Sequence, residues 1–548
     1  MEYFISIDFG TCNSVISFLE DNNILQIENI NNGDVLIPTT IYFLSNELND
    51  NLKIGDLKPN IHYLIGNEAN DNVSINKDTE YYFCQFKRFL GITKKSIDSF
   101  KEFLEIYNLD YSVDDELIYF NIKILDSDKK LKISITDLVS LYFKALYELI
   151  SNKLNMNEKI NCVLTCPAYF HDLQRSQLKN SAENANFSIY KIFNEPTAAS
   201  IYYIDKINNN SDKNKIIIYD LGGGTIDTTV MEYYKDENIC EVIDIDGNNH
   251  LGGIDIDNIL FYDIFNKYNI DKTNYKWKQK IKKIAEEIKI KLTYTDKIDI
   301  YLENVPIKIN NSINILESLK VNYSRRIFNN LINQLIEEMI NPIKLMYKKH
   351  NTNNIIFIGG PTQIPLLQSK VNSILNNNTY ISSNNLYKTI VSKGATLLFK
   401  KIFNKEDFCL LDILPMNIGI SDNNDNMIIM INKNSKIPIS IEKTFTTTYD
   451  CQRTIDIDVY EGNENKCNEN TFIGSYKLIG IPPLIRGSIL IKLLFKISYN
   501  GILNVSIEGF ENSNNEIKSN YNCNKDIKLI PSVIAKNILK KILLSTKK

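Results

Sequence analysis

Apolar residues recur along the chain in two rhythms, and the change between them divides it. From the N-terminus to about residue 404, short apolar strands alternate with helices whose apolar positions return every three or four residues, the pattern of an α/β fold. The plainest helix is predicted over 274–294, where Trp277, Ile281, Ile284, Ile288 and Leu292 share a face among lysines and glutamates. Polar stretches at 208–215 and 376–385 read as surface loops. Past Asp407-Phe408-Cys409-Leu410-Leu411-Asp412 the period becomes two. Ile455, Ile457 and Val459 then face one way, Asp456 and Asp458 the other. Asn500-Gly501 between apolar runs predicts a type I′ hairpin, so an antiparallel β region is expected over 413–510. Pro531-Ser532 opens a last short helix with Ile534, Ile538, Leu539, Ile542 and Leu543 on one face. A helix of that length is marginal alone in water and should dock on the β region.

Within the first rhythm two segments are near copies. One is Ile5-Ser6-Ile7-Asp8-Phe9-Gly10-Thr11-Cys12-Asn13-Ser14; the other is Ile216-Ile217-Ile218-Tyr219-Asp220-Leu221-Gly222-Gly223-Gly224-Thr225-Ile226-Asp227. Each is an apolar strand that ends on an aspartate and turns through glycine to a threonine. Glycine lets main-chain N–H groups approach an anion, and threonine adds a hydroxyl donor. The aspartate can hold a cation or orient water beside that anion. Two such loops imply a polyphosphate and its metal clamped between related lobes. No GxxxxGK[ST] motif is present, so a Walker-type loop is excluded.

Charge and composition narrow the classes further. Lys+Arg of 62 against Asp+Glu of 66 gives a net charge of −4, which leaves no large basic footprint for nucleic acid. The 9 cysteines lie scattered without a CxxC pair, as free thiols in a reducing compartment would. The 4 histidines are isolated, which argues against a zinc site. No apolar run approaches the ~20 residues of a membrane span, and the chain enters a strand directly. A cytoplasmic protein without a membrane partner is expected.

The loops belong to a longer series: Phe86-Lys87-Arg88-Phe89-Leu90-Gly91, Pro167-Ala168-Tyr169-Phe170, Asn194-Glu195-Pro196-Thr197-Ala198-Ala199, His250-Leu251-Gly252-Gly253 and Gly359-Gly360. Gly480-Ile481-Pro482-Pro483 and Asn500-Gly501-Ile502-Leu503 follow in the β region. In this order the series resembles the 70-kDa heat-shock chaperone family along nearly the whole chain. The resemblance implies an actin-like, duplicated ribonuclease-H-like ATPase domain over 1–404 and a linker over 405–412. It further implies a β-sandwich for peptides over 413–512 and a shortened lid over 513–548. The implied function is an ATP-dependent, stress-response chaperone that binds and releases extended apolar segments. A non-hydrolysing holdase, exchange factor or scaffold on the same fold is the rival reading.

Site roles come with the resemblance. Lys87 orients the attacking water and Glu195 supports the metal shell, with Asp220 and Thr225 completing the catalytic set. Asp8, Asp220 and Asp227 hold Mg2+ and K+, mostly through water. Gly10, Thr11, Cys12, Asn13, Gly222, Gly223, Gly224 and Thr225 cradle the phosphates of ATP or ADP. Gly252 and Gly253 also bind the nucleotide, Glu286 and Lys289 resemble the ribose-contacting pair, and Gly359 and Gly360 lie under the nucleoside. Ile420, Phe445, Ile455 and Ile457 line the peptide groove. Pro167, Arg175, Leu410, Leu411 and Asp412 form the interdomain switch. Implied partners are unfolded clients, a J-domain co-chaperone and an exchange factor, around a monomer. Read without the series, Lys87 is an ordinary solvated lysine, and 408–411 is an ordinary buried strand.

The chain also departs from the family. Cys12 stands where a second threonine is usual. Ile290 and Gln363 replace the two arginines that sandwich adenine; Pro361 and Lys388 alter the same neighbourhood. Loss of those stacked cations removes roughly 0.5–2 kcal/mol each.

Overall fold

The computed structural model describes residues 3–21, 23–28, 33–76, 81–94, 97–114, 117–156, 158–206, 213–309, 312–352, 354–375, 386–513 and 516–521. By internal packing the chain forms two units. The first comprises 1–114, 118–170 and 177–409; the second comprises 115–117, 171–176 and 410–548.

The first unit is built on two sheets of matching design. In one, strand β1 (Ile5–Phe9) pairs antiparallel with β2 (Asn13–Glu20), which pairs with β3 (Asn23–Gln26). On its other side β1 runs parallel to β4 (Ile160–Cys166), and β4 runs parallel to β5 (Phe187–Asn194). In the other sheet, β6 (Lys213–Leu221) pairs antiparallel with β7 (Ile226–Tyr234), and β7 with β8 (Ile239–Asn248). β6 runs parallel to β9 (Ile355–Ile358). Each near-copy in the sequence is therefore an interior strand of its own sheet with the turn that follows it, flanked in the same sense by an antiparallel and a parallel neighbour.

Helices clamp these sheets. The rings of Tyr142 and Phe143 on α1 (Ile135–Leu154) pack on Phe9 of β1. α2 (Glu195–Lys206) follows β5 without a break. It is crossed by α6 (Ile390–Phe403) so closely that a Cβ at Gly394 would run into the Ala198 carbonyl. The opposite face of β1 is small and polar: the Ser6 hydroxyl donates to the Ser392 carbonyl of α6 at 2.7 Å. Between these lie α3 (Gly253–Tyr268), α4 (Tyr275–Tyr294) and α5 (Arg325–His350). α4 forms where the periodicity expects it, with Asn274 accepting from the N–H groups of Lys276 and Trp277 at its start.

The second unit has two antiparallel four-stranded sheets. One runs in the order β11 (Met427–Ile431), β10 (Asn417–Ser421), β13 (Thr454–Gly462), β14 (Thr471–Ile479). The other runs β12 (Ile439–Thr446), β15 (Ile489–Ile497), β16 (Leu503–Ser513), β17 (Glu516–Tyr521). Ile418 and Val459 from the first sheet share a buried core with Ile491, Phe495 and Val505 from the second, so alternate residues of each strand close a sandwich. Before it, Cys409–Ile413 is a strand in which Asp412 pairs with Ile437.

Two expectations are corrected. The segment expected as a loop over 208–215 enters strand β6 at Lys213, because Lys213, Asn214 and Lys215 pair across to Tyr234, Tyr233 and Glu232. The hairpin at Asn500-Gly501 forms, but not with a type I′ turn. Only Gly501 has a positive φ, +70°, and the turn closes from Ser498 to Gly501. The Ser498 hydroxyl accepts from the N–H groups of Asn500 and Ile502, and that local cap selects the longer loop. The stretch 376–385 and the terminal helix with Ile534, Ile538 and Leu543 lie outside the described residues.

Candidate active site

A cleft of about 410 Å3 opens in the first unit, and both near-copy loops contribute to its wall. That volume suits a small-molecule ligand. The first loop is fixed from outside: Thr39 donates its N–H to the Cys12 carbonyl at 2.8 Å and its hydroxyl to the Gly10 carbonyl at 2.9 Å. In the second loop the Gly222 N–H donates to the Thr225 carbonyl at 3.0 Å. The carbonyls of Gly222 and Gly223 accept from Gly253 and Ile254, which seats the start of α3 against the loop. The two loops approach so closely that a Cβ on Gly223 would strike the Cys12 sulfur. Gly359, at φ +86°, brings its backbone against the Leu221 carbonyl, where only glycine fits.

The charged end holds Asp8, Lys87, Glu195 and Asp220. Lys87 sits in the short helical turn Phe86–Phe89, buried, with its ammonium 2.8 Å from Glu195 Oε1 and above the rings of Phe9 and Phe170. Burial pulls its pKa down, but the Glu195 charge and hydrogen bond, with Asp8, more than reverse this, so the ammonium stays charged. Asp8 is half-buried and lines the cleft. Desolvation there and the Glu195 charge push its carboxyl up to about 7, against Lys87 and the Thr165 hydroxyl, which donates to Oδ1 at 2.8 Å. Asp220 is raised well above the ordinary range by burial and by Glu195, Asp227 and Asp8. The Cys12 thiol is pushed up to about 12 by burial and Glu286, so it is neutral.

The far end of the cleft is different in kind. Glu286, Lys289 and Ile290 on α4 line it with Pro361, Tyr387 and Lys388. Lys289 donates to Asp257 Oδ2 at 2.8 Å and to the Gly253 carbonyl at 3.2 Å. Burial holds the Asp257 carboxyl at about 6 although Lys289 opposes it.

The structure thus gathers Gly10, Thr11, Cys12, Asn13, Gly222, Gly223, Thr225, Gly253, Glu286, Lys289, Gly359 and Gly360 around one cleft with the four charged residues. Gly224, Gly252 and Asp227 are not in its wall: Gly224 lies against Arg88, the Gly252 N–H donates to Asp255, and Asp227 accepts from the Tyr169 N–H at 3.0 Å. Gln363 is not in the wall either, and its amide donates to the Thr362 hydroxyl. Pro167 is buried in the first unit, and Arg175 is buried in the 171–176 segment of the second. Leu410, Leu411 and Asp412 are half-buried. Ile420 and Ile457 are buried in the sandwich core, and Ile455 and Phe445 pack against that core, Phe445 from the opposite sheet.

Three contributors escaped the sequence reading. Thr165 enters only through parallel register with Asp8, which local sequence does not carry. Thr39 lies in a loop without a motif. Asp257 left a signal: it is an acid on the same helical face as Ile254, Phe261 and Ile264, all buried.

A family model described as Hsp70 protein matches residues 4–537. Among known proteins, the chain is 32% identical over 519 residues to a chaperone protein dnaK of Cyanidium caldarium, covering 92% of this chain and 78% of that one. It is 32% identical over 520 residues to a chaperone protein HscA of Buchnera aphidicola subsp. Baizongia pistaciae, covering 92% and 91%. A DnaK of Thermotoga petrophila is 33% identical over 360 residues, 63% of this chain and 59% of that one.

Proposed function

The chain belongs to the Hsp70 family, and from that premise we propose that the cleft is where it hydrolyses ATP, with Lys87 orienting the attacking water. As a family member it is an ATP-dependent chaperone and an ATPase. The observation that carries the site assignment is the buried Lys87–Glu195 pair between two glycine–threonine loops, beside Asp8 and Asp220. Hydrolysis needs a water aligned on the terminal phosphorus, and charge neutralisation as the bridging oxygen leaves with ADP. Lys87 supplies a fixed cation, and its salt bridge holds it in place. The loop amides of Gly10–Asn13, with those of Gly223 and Thr225, would bind phosphate oxygens without reorganisation.

Asp8, Asp220 and Glu195 outnumber the one ammonium, and burial with mutual repulsion raises the carboxyls of Asp8 and Asp220, the electrostatics of a place built to receive a cation. Among the described residues no three His, Cys, Asp or Glu side chains converge enough to ligate a metal directly. Asp8, Asp220 and Asp227, the last paired to Asp220 across the strand ladder, would hold Mg2+ largely through its water shell, with K+ as a second ion. When bound, the cation would neutralise charge on the phosphates. Extended apolar clients would bind the sandwich near Ile420, Phe445, Ile455 and Ile457. A J-domain partner and an exchange factor would complete the cycle of a cytoplasmic monomer. Among the described residues no helix is long and apolar enough to cross a membrane.

Lys87→Ala should lower single-turnover hydrolysis by at least about a hundredfold. Mg-ATP affinity should stay within a few-fold of wild type. Quench-flow with radiolabelled ATP and a filter-binding titration measure the two quantities; hydrolysis at the wild-type rate would falsify the assignment.

A further inference from the structure

The end of the cleft away from Lys87 presents ring and aliphatic surface beside the side chains of Glu286, Lys289 and Lys388. Tyr294 closes α4, lines the cleft and is 66% exposed, so one ring face is available to a ligand. Its hydroxyl lies 3.4 Å from that of Tyr387, which is buried, a weak contact at the cleft mouth. The Thr293 hydroxyl is spent on the Lys289 carbonyl at 3.0 Å. The Gln363 amide points to Thr362, outside the wall. The Lys388 ammonium lies 5.9 Å over the Tyr387 ring. Ile290, half exposed, offers only aliphatic surface.

A site discriminates strongly between bases when buried donors and acceptors would be left unpaired by the wrong one. A stacking platform discriminates weakly, because every base has a π-face. We propose that Tyr294 is the residue that holds the nucleobase, by stacking on its exposed ring face, and that the site therefore accepts adenine and guanine nucleotides with little preference. The proposal rests on the cleft being the nucleotide site, and it adds a base-holding contact that the phosphate loops do not supply.

The test is calorimetric titration of the intact chain with Mg-ADP, Mg-GDP and Mg-pyrophosphate. Wild type should bind ADP and GDP within about fivefold of each other, as a stacking platform implies. Tyr294→Ala should weaken both by about tenfold and leave pyrophosphate unchanged; Tyr294→Phe, which keeps the ring, should restore most of the loss. A preference above about a hundredfold for ADP over GDP overturns the proposal, since hydrogen-bonded readout is needed to produce it. So does wild-type affinity in Tyr294→Ala, a loss in Tyr294→Phe as large as in Tyr294→Ala, or a parallel loss of pyrophosphate binding that marks damage to the fold. If wild type binds neither ADP nor pyrophosphate, the nucleotide reading beneath the proposal fails, and that outcome is distinct from the others.

Discussion

Asp257 sits on the buried face of α3 with Lys289 as its partner, and burial outweighs that partner to hold its carboxyl at about 6, above its ordinary value of 3.8. Between those two values the folded chain keeps a proton that the unfolded chain has released, so this group's contribution to stability falls as pH rises from about 4 to about 6 and is constant above. Asp257→Asn removes that slope. The thermal midpoint of the variant relative to wild type should therefore improve between pH 4.5 and pH 7, by the equivalent of roughly 2 kcal/mol. An identical difference at both pH values would refute the assignment. The same residue shows where sequence reading stops. Lys87, Glu195, Asp8 and Asp220 are legible as a set because each stands in a short motif. Asp257 and Thr165 act through a helix face and a parallel register that exist only after folding. Gln363 matches a base-contacting position in sequence, yet its amide is captured locally by Thr362.

Elements whose signal is local match their expectation. In α4, Ile281, Ile288 and Leu292 are fully buried, and Asn274 caps the two N–H groups that helix geometry leaves open. Asn274→Ala should cost about 1 kcal/mol, while Asn274→Asp should retain most of the wild-type stability. Chemical denaturation followed by circular dichroism checks both, and equal stability of wild type and Asn274→Ala would remove the cap from the account. Elements that depend on a partner strand were less legible. Lys213 to Lys215 are polar enough for a loop, yet the ladder with β7 enlists them. At Asn500-Gly501 the dipeptide marks the hairpin, but the Ser498 hydroxyl decides its length. The contact of α2 with α6 at Ala198 and Gly394 is likewise beyond periodicity, since both helices have the same period whether or not they touch.

At the scale of the molecule, family membership makes nucleotide and client binding parts of one cycle. A fluorescent apolar peptide bound to the intact chain should leave at least about tenfold faster once Mg-ATP is added, the size of shift a coupling near 1.4 kcal/mol produces. Leu410→Ala with Leu411→Ala should bring the ratio close to one without loss of ATP binding. Stopped-flow anisotropy measures the release, and an undiminished ATP effect in the double variant would take the switch away from these two residues. The sequence by itself determined the duplication, the strand–aspartate–glycine–threonine turns, the main helix and the alternation of the β region, because those follow from spacing a few residues long. Tertiary structure decided that the two turns face each other across Gly223 and Cys12, that Lys87 stays charged beside Glu195, and that Tyr294 and Tyr387 join Lys289 and Lys388 at the far end of the cleft. Those outcomes depend on burial and on neighbours distant in the chain, which no local pattern records.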